Sequence, residues 1–225
     1  MAAAQTHAPD VCVSDTQDTV ASQLATHPWL TGAHVDPADT GVLLVLNPEG
    51  IQALRQHGRQ ALLDQVQAYL AEHAVVPSQD LSRKIWRVRD AVPTDLSPHA
   101  LDALLKAARP NHVTPIAEHA QDDTWTLTLH LPPDLIHFDG HFPQAPVLPG
   151  VLQVSWALAL AAPRLGTSMH CREMEALKFQ QLLRPCDQIE LTLRFDTTRS
   201  KLHFAYRLDG AHASSGRLCV ARTND

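Results

Sequence analysis

The sequence predicts an α+β domain, an antiparallel sheet wrapped around one buried helix, preceded by a small α/β domain. Three observations lead there. Helices and strands intermix up to about residue 109, whereas beyond residue 112 strands dominate, beginning with the strict alternation of Thr124–His130. The second half holds one helix, residues 150–162, which is apolar on nearly every side and therefore buried. Charge also divides the chain: residues 1–82 carry two arginines against nine acids, whereas residues 164–207 are net +3. Such asymmetry suggests two modules, and 225 residues is long for one small domain and short for two average ones.

The first module spans residues 15–109. Thr16–Ala25 reads as a short helix and Gly41–Leu46 as a buried strand. Pro48 then suits the first turn of a helix, and Glu49–Glu72 is amphipathic, with apolar residues mostly at three- and four-residue steps. Lys84–Arg89 alternates like a half-buried strand, and Ser97-Pro98 opens a last helix with a serine cap. Residues 110–115 read as a linker. The second module, residues 112–222, then has strands at 124–130, 169–183, 188–195, 202–208 and 213–221 around its single helix.

Composition narrows the functional classes. The net charge of −6 and pI near 6.1 argue against a dedicated nucleic-acid binder. The longest apolar runs, Val42–Leu46 and Trp156–Ala162, fall short of the ~20 residues of a membrane span. Met1–Gln5 lacks the basic start of a secretory leader. Cysteines 12, 171, 186 and 219 form neither a CxxC pair nor a zinc spacing, so a reduced cytoplasmic protein is expected. No glycine-rich phosphate loop occurs.

The most informative segment is residues 135–156, Leu-Ile-His-Phe-Asp-Gly-His-Phe-Pro-Gln-Ala-Pro-Val-Leu-Pro-Gly-Val-Leu-Gln-Val-Ser-Trp. Pro143, Pro146 and Pro149 stiffen it and push the residues before them into extended geometry. A rigid loop of this kind can hold His141 in one place. Gly150 allows close approach of a ligand, and the helix start beyond it offers unpaired N–H groups. A histidine base facing a helix-start anion site suits proton abstraction next to a carbonyl.

Gly140-His141-Phe142-Pro143, Pro146-Val147 and Pro149-Gly150-Val151-Leu152 resemble the signature of hotdog-fold 3-hydroxyacyl-acyl carrier protein dehydratases, with wording closest to the branch found with aryl-polyene and xanthomonadin-type pigment synthesis. The resemblance implies that His141 removes the α-proton of a 3-hydroxyacyl thioester and that the Gly150 amide polarises its carbonyl. Phe142, Pro143, Val147, Val151 and Trp156 are the implied substrate-binding residues, and no cofactor is expected. A helix acid fourteen residues beyond the histidine should protonate the departing hydroxyl, but that position is Ser155 and the helix has no carboxylate. An alcohol is a poor general acid, and loss of one costs ~10²–10⁴-fold in rate. Because dimers of this family share their sites between subunits, the expected state is a heteromeric dehydratase whose partner supplies the acid, or a weakly active homodimer. A hotdog thioesterase and a non-catalytic scaffold that binds acyl carrier protein or a dehydratase partner are the alternatives.

Other residues have plainer readings. Trp156, Leu158 and Leu160 suit an acyl tunnel or simple core. Arg164, Arg172, Lys178 and Arg184 suit docking of an acidic carrier protein or a solvated face. His137 and His141 form an HxxxH spacing, but no glutamate follows the first and the prolines oppose a helical pairing, so no metal is expected. In the first module, His27-Pro28-Trp29, Ala33-His34-Val35 and Ile85-Trp-Arg-Val-Arg-Asp-Ala-Val-Pro93 resemble the small C-terminal subdomain of adenylate-forming acyl synthetases. That family's glycine-lysine pair is replaced by Thr94-Asp95-Leu96-Ser97-Pro98, which implies a degenerate, non-catalytic domain.

Overall fold

The computed structural model describes residues 13–38, 40–73, 81, 83–140, 142 and 145–222. The chain divides into two compact units: residues 1–50 with 63–107, and residues 51–62 with 108–225. The division departs from a simple break near residue 110, because twelve residues of the predicted long helix belong to the second unit.

The first unit holds α1 (Val13–Leu24), β1 (Leu30–Val35), β2 (Gly41–Leu46), the ends of α2 (Pro48–His73), β3 (Ile85–Arg89) and α3 (Pro98–Lys106). The fully buried β2 is central, antiparallel to β1 and parallel to β3. Leu101 and Leu105 of α3 pack on Leu43, and Ser97 caps the helix by accepting from the Ala100 N–H. Asp36 closes the β1–β2 connection by accepting from the Gly41 N–H at 2.6 Å and the Thr40 hydroxyl at 3.0 Å. Burial works to raise its pKa, and these hydrogen bonds, with the Ala38 N–H, bring it below the usual aspartate value. β1 was not predicted, because Thr31, Gly32 and His34 interrupt its apolar pattern.

The second unit is a six-stranded antiparallel sheet in the order β4-β5-β7-β8-β9-β6: β4 (Pro115–Gln121), β5 (Thr124–His130), β7 (Gln188–Asp196), β8 (Lys201–Leu208), β9 (Ala211–Arg222) and β6 (Thr167–Phe179). It encloses α4 (Gly150–Leu165), which buries Val154, Trp156, Ala157, Leu158 and Ala161 in one core with inward residues of the strands. Alternation along β7 supplies Ile189, Leu191, Leu193 and Phe195 to that core. This is the predicted hotdog arrangement. β4 begins in the predicted linker. It lies at the sheet edge, exposed along almost its whole length, so no burial imposes alternation on it. β6 ends at Phe179 rather than residue 183, because the Gln180 and Gln181 N–H groups both turn to the Ala213 carbonyl. Among the described residues, no helix is long and apolar enough to cross a membrane.

Candidate active site

The segment leading into α4 and the first turns of that helix form the candidate site. His141, Pro143 and Gln144 lie outside the described residues, so the geometry here is that of the two flanks. Upstream, a 3₁₀ turn at Ile136–Phe138 buries Phe138 and carries the chain to Asp139 and Gly140. Its backbone has no strand to pair with and is tied down instead by a few long-range bonds. The Ile136 N–H donates to the Pro110 carbonyl at 2.9 Å, and His137 Nε2 lies 2.8 Å from the Asn111 carbonyl.

Charge supplies the rest of the upstream anchoring. Asp134, only 2% exposed, accepts from Arg59 Nε at 2.6 Å, and the Arg109 guanidinium lies 3.3 Å from the same oxygen. Arg109 also forks onto both oxygens of Asp139. Burial works against its charge, but the Asp139 bonds and the neighbouring Asp134 outweigh that and raise its pKa. One turn earlier, Arg55 grips Asp187 at 2.6 Å and the Pro185 carbonyl at 2.8 Å. Burial pushes the Asp187 carboxyl up, only partly offset by the Arg184 N–H and Arg55.

Downstream, neutral groups hold the helix start. The Leu148 N–H donates to the Leu183 carbonyl at 2.7 Å. Buried Gln153 donates to the Leu148 carbonyl at 3.2 Å and accepts from the Ser214 hydroxyl at 2.5 Å. The hydroxyl of buried Tyr206 donates to the Gln153 carbonyl at 2.9 Å, and its desolvation raises the tyrosine pKa. These bonds fix the first turn of α4 against β8 and β9. Gly150 begins the helix, where the first N–H groups have no intrahelical acceptor. The Phe179 ring covers it so closely that a Cβ there would lie 2.7 Å from two ring carbons. Phe179 escaped the sequence reading because an aromatic ending a strand looks like any β-sheet residue.

The remaining candidates separate. Val147 and Trp156 are buried, Trp156 within the core. Val151, 72% exposed, and Ser155 stand one turn apart on the open side of α4, followed by exposed Ala159. Phe142 is exposed with φ +55°. Arg164 lies 2.9 Å from Glu118 and stacks on Trp125, and Arg184 donates to the Arg55 carbonyl. Arg172 is exposed, as is Lys178. Lys178 lines a groove of ≈ 420 Å³ on the sheet with Arg194, His203 and Arg217.

Comparisons with known proteins point to one family. A family model described as ApeI-like, ApeI dehydratase, matches residues 117–217. The 3-hydroxyacyl-(acyl-carrier-protein) dehydratase FabZ of Streptococcus thermophilus is 35% identical over 94 residues, covering 37% of this chain and 67% of that protein. Its counterpart from Streptococcus pneumoniae is 35% identical over 97 residues, covering 39% and 69%. Among solved structures, the dehydratase heterocomplex ApeI:P from Xenorhabdus doucetiae is 32% identical, covers 49% of this chain and 99% of that one, and has a TM-score of 0.45. By sequence identity spread over more than two thirds of such relatives, the chain belongs to the hotdog-fold family of 3-hydroxyacyl-acyl carrier protein dehydratases.

Proposed function

We propose that this protein takes part in dehydrating 3-hydroxyacyl thioesters on an acyl carrier protein, in fatty-acid-like or aryl-polyene synthesis, within a site completed by a second hotdog subunit. In this reading His141 takes the α-proton while the Gly150 N–H stabilises the charge growing on the thioester oxygen. An acid from the partner protonates the 3-hydroxyl, which leaves as water and yields the 2-enoyl thioester. The observation that carries the reading is the open face of α4: Ser155 is exposed where the family's acid belongs, and no carboxylate occurs between Gly150 and Leu165.

The surface around it favours a subunit contact. Val151, Phe142, Met169, Met174, Leu177 and Phe179 are all at least 37% exposed, and β6 lies at the sheet edge, paired among the described residues with β9 alone. Exposed apolar side chains clustered beside an unpaired strand edge mark an interaction surface. The first unit we read as a degenerate C-terminal subdomain of an adenylate-forming synthetase, supported by Trp86 and Val88 of its motif being buried in β3.

The test is turnover of 3-hydroxyacyl carrier protein, followed by mass spectrometry as loss of water. The lone protein should turn over slowly, Ser155→Glu should gain about 10²–10⁴-fold, and His141→Ala should abolish both activities. Full-rate dehydration untouched by His141→Ala would overturn the reading. No gain from Ser155→Glu, with carrier-protein binding intact, would instead support a non-catalytic scaffold, the reading that the missing acid also favours.

A further inference from the structure

Residues 51–62 come from the N-terminal half of the chain and lie outside the stretch matched by the family model, yet they fold as part of the second unit. Their helix breaks at Gly58, whose φ of +81° is a conformation that side-chain-bearing residues rarely adopt. On one side of the break Arg55 grips the 184–187 turn through Asp187 and the Pro185 carbonyl. On the other side Arg59 reaches Asp134, at the root of the loop that runs through Asp139 into His141. Gln60 joins Arg59, Phe138 and Asp139 around a cavity of ≈ 250 Å³, so the segment lies against the loop along more than one residue.

We propose that Arg59, carried on residues 51–62, is a positioning residue for residues 134–139, which lead into His141. The inference rests on the assignment of His141 as the base. Of the side chains anchoring residues 134–139, Arg109 stands just before the linker, whereas Arg59 arrives from a segment farther away in the sequence. The Arg59 and Arg109 side chains are 14% and 17% exposed, and Asp134 is more buried still, so salt screens these pairs less than surface pairs. Removing Arg59 takes one ion-pair partner from the buried Asp134 carboxylate. A base displaced by an ångström costs ~10²-fold in rate, so even partial loosening of its loop should appear in turnover.

Arg55 gives the control, because it docks the same segment without touching the loop. The experiment compares Arg59→Gln, Arg59→Lys and Arg55→Gln in the full chain, each also in the Ser155→Glu background. Amide hydrogen exchange and steady-state kinetics are measured well below melting. Arg59→Gln should speed exchange across residues 134–142 by about tenfold. It should lower kcat by about tenfold with KM within about twofold, and Arg59→Lys should recover part of both effects. Arg55→Gln should speed exchange at residues 184–187 and lower the melting temperature while leaving kcat near wild type.

The inference is overturned if exchange over 134–142 does not change in Arg59→Gln, or if Arg55→Gln changes exchange there and kcat equally. It is also overturned if Arg59→Gln lowers kcat no more than Arg55→Gln does in an active background. If exchange responds as expected but no form of the protein dehydrates any 3-hydroxyacyl carrier protein, the dehydratase reading fails and the loop brace stands.

Discussion

The two flanks of the candidate site are held by different physics. Residues 134–139 add ion pairs from Arg59 and Arg109 to the packing of Leu135 and Phe138, whereas residues 148–153 add to their packing the neutral bonds of Gln153 with Ser214 and Leu148 and of Tyr206 with Gln153. The hydrogen-bond partners of the second flank named above lie between residues 148 and 214, inside the stretch matched by the dehydratase family model. The first flank depends on a residue some seventy-five positions away. The difference teaches that the hydrogen bonds of the helix start are local to the hotdog stretch, while residue 134 pairs with a segment of the same unit drawn from earlier in the chain.

Breaking the charged flank should have the largest effect. Asp134→Ala removes the buried carboxylate shared by two largely buried guanidinium groups and should cost about 3 kcal/mol by urea unfolding. A loss under about 1 kcal/mol would show that the loop does not rely on this pair. Gln153→Leu comes next. It leaves the Ser214 hydroxyl and the Leu148 carbonyl buried without their partner, for about 2–3 kcal/mol by thermal unfolding. Its deficit should stay constant up to about 0.5 M salt, whereas electrostatic support of the Asp134 side should weaken. Tyr206→Phe removes one buried bond, to the Gln153 carbonyl, and should cost about 1 kcal/mol in the same assay.

Asp187→Asn should have the smallest effect, within about 1 kcal/mol at neutral pH, because desolvation offsets much of the Arg55 pair. The sign follows from its raised pKa. The folded state binds this proton more tightly than the unfolded chain, so the contribution of Asp187 is most favourable below the model-peptide value of 3.8 and declines as pH rises through the folded-state pKa. Urea midpoints taken from pH 4 upward should fall less with rising pH in Asp187→Asn than in the wild type, relative to other titrations. Parallel curves would place the shift elsewhere.

Much of this was legible in the residues. The alternation of Thr124–His130, the all-apolar helix after Gly150 and the fully buried Gly41–Leu46 strand each appear where periodicity puts them. Elements without that signal were missed. β4 is an exposed edge, and β1 is interrupted by small and polar residues. Helix α2 reads as one amphipathic run because hydropathy does not register the break at Gly58, which is a matter of backbone angle. The pairings of Arg164 with Glu118 and Arg184 with Arg55 are equally invisible, since ion pairs leave no periodic trace.

The sequence by itself determined the fold class, the prolines that flank His141, the glycine at the helix start and the absence of a carboxylate on α4. These follow from local chemistry, because period, φ restriction and residue identity are properties of a few neighbouring residues. The tertiary structure alone decided that Phe179 roofs Gly150, that Ser155 faces outward, and that residues 51–62 fold with the second unit and pair with Asp134 and Asp187. Each of those depends on which distant segments share a register or an ion pair. That choice is settled by packing and desolvation over the whole unit, and no local pattern encodes it.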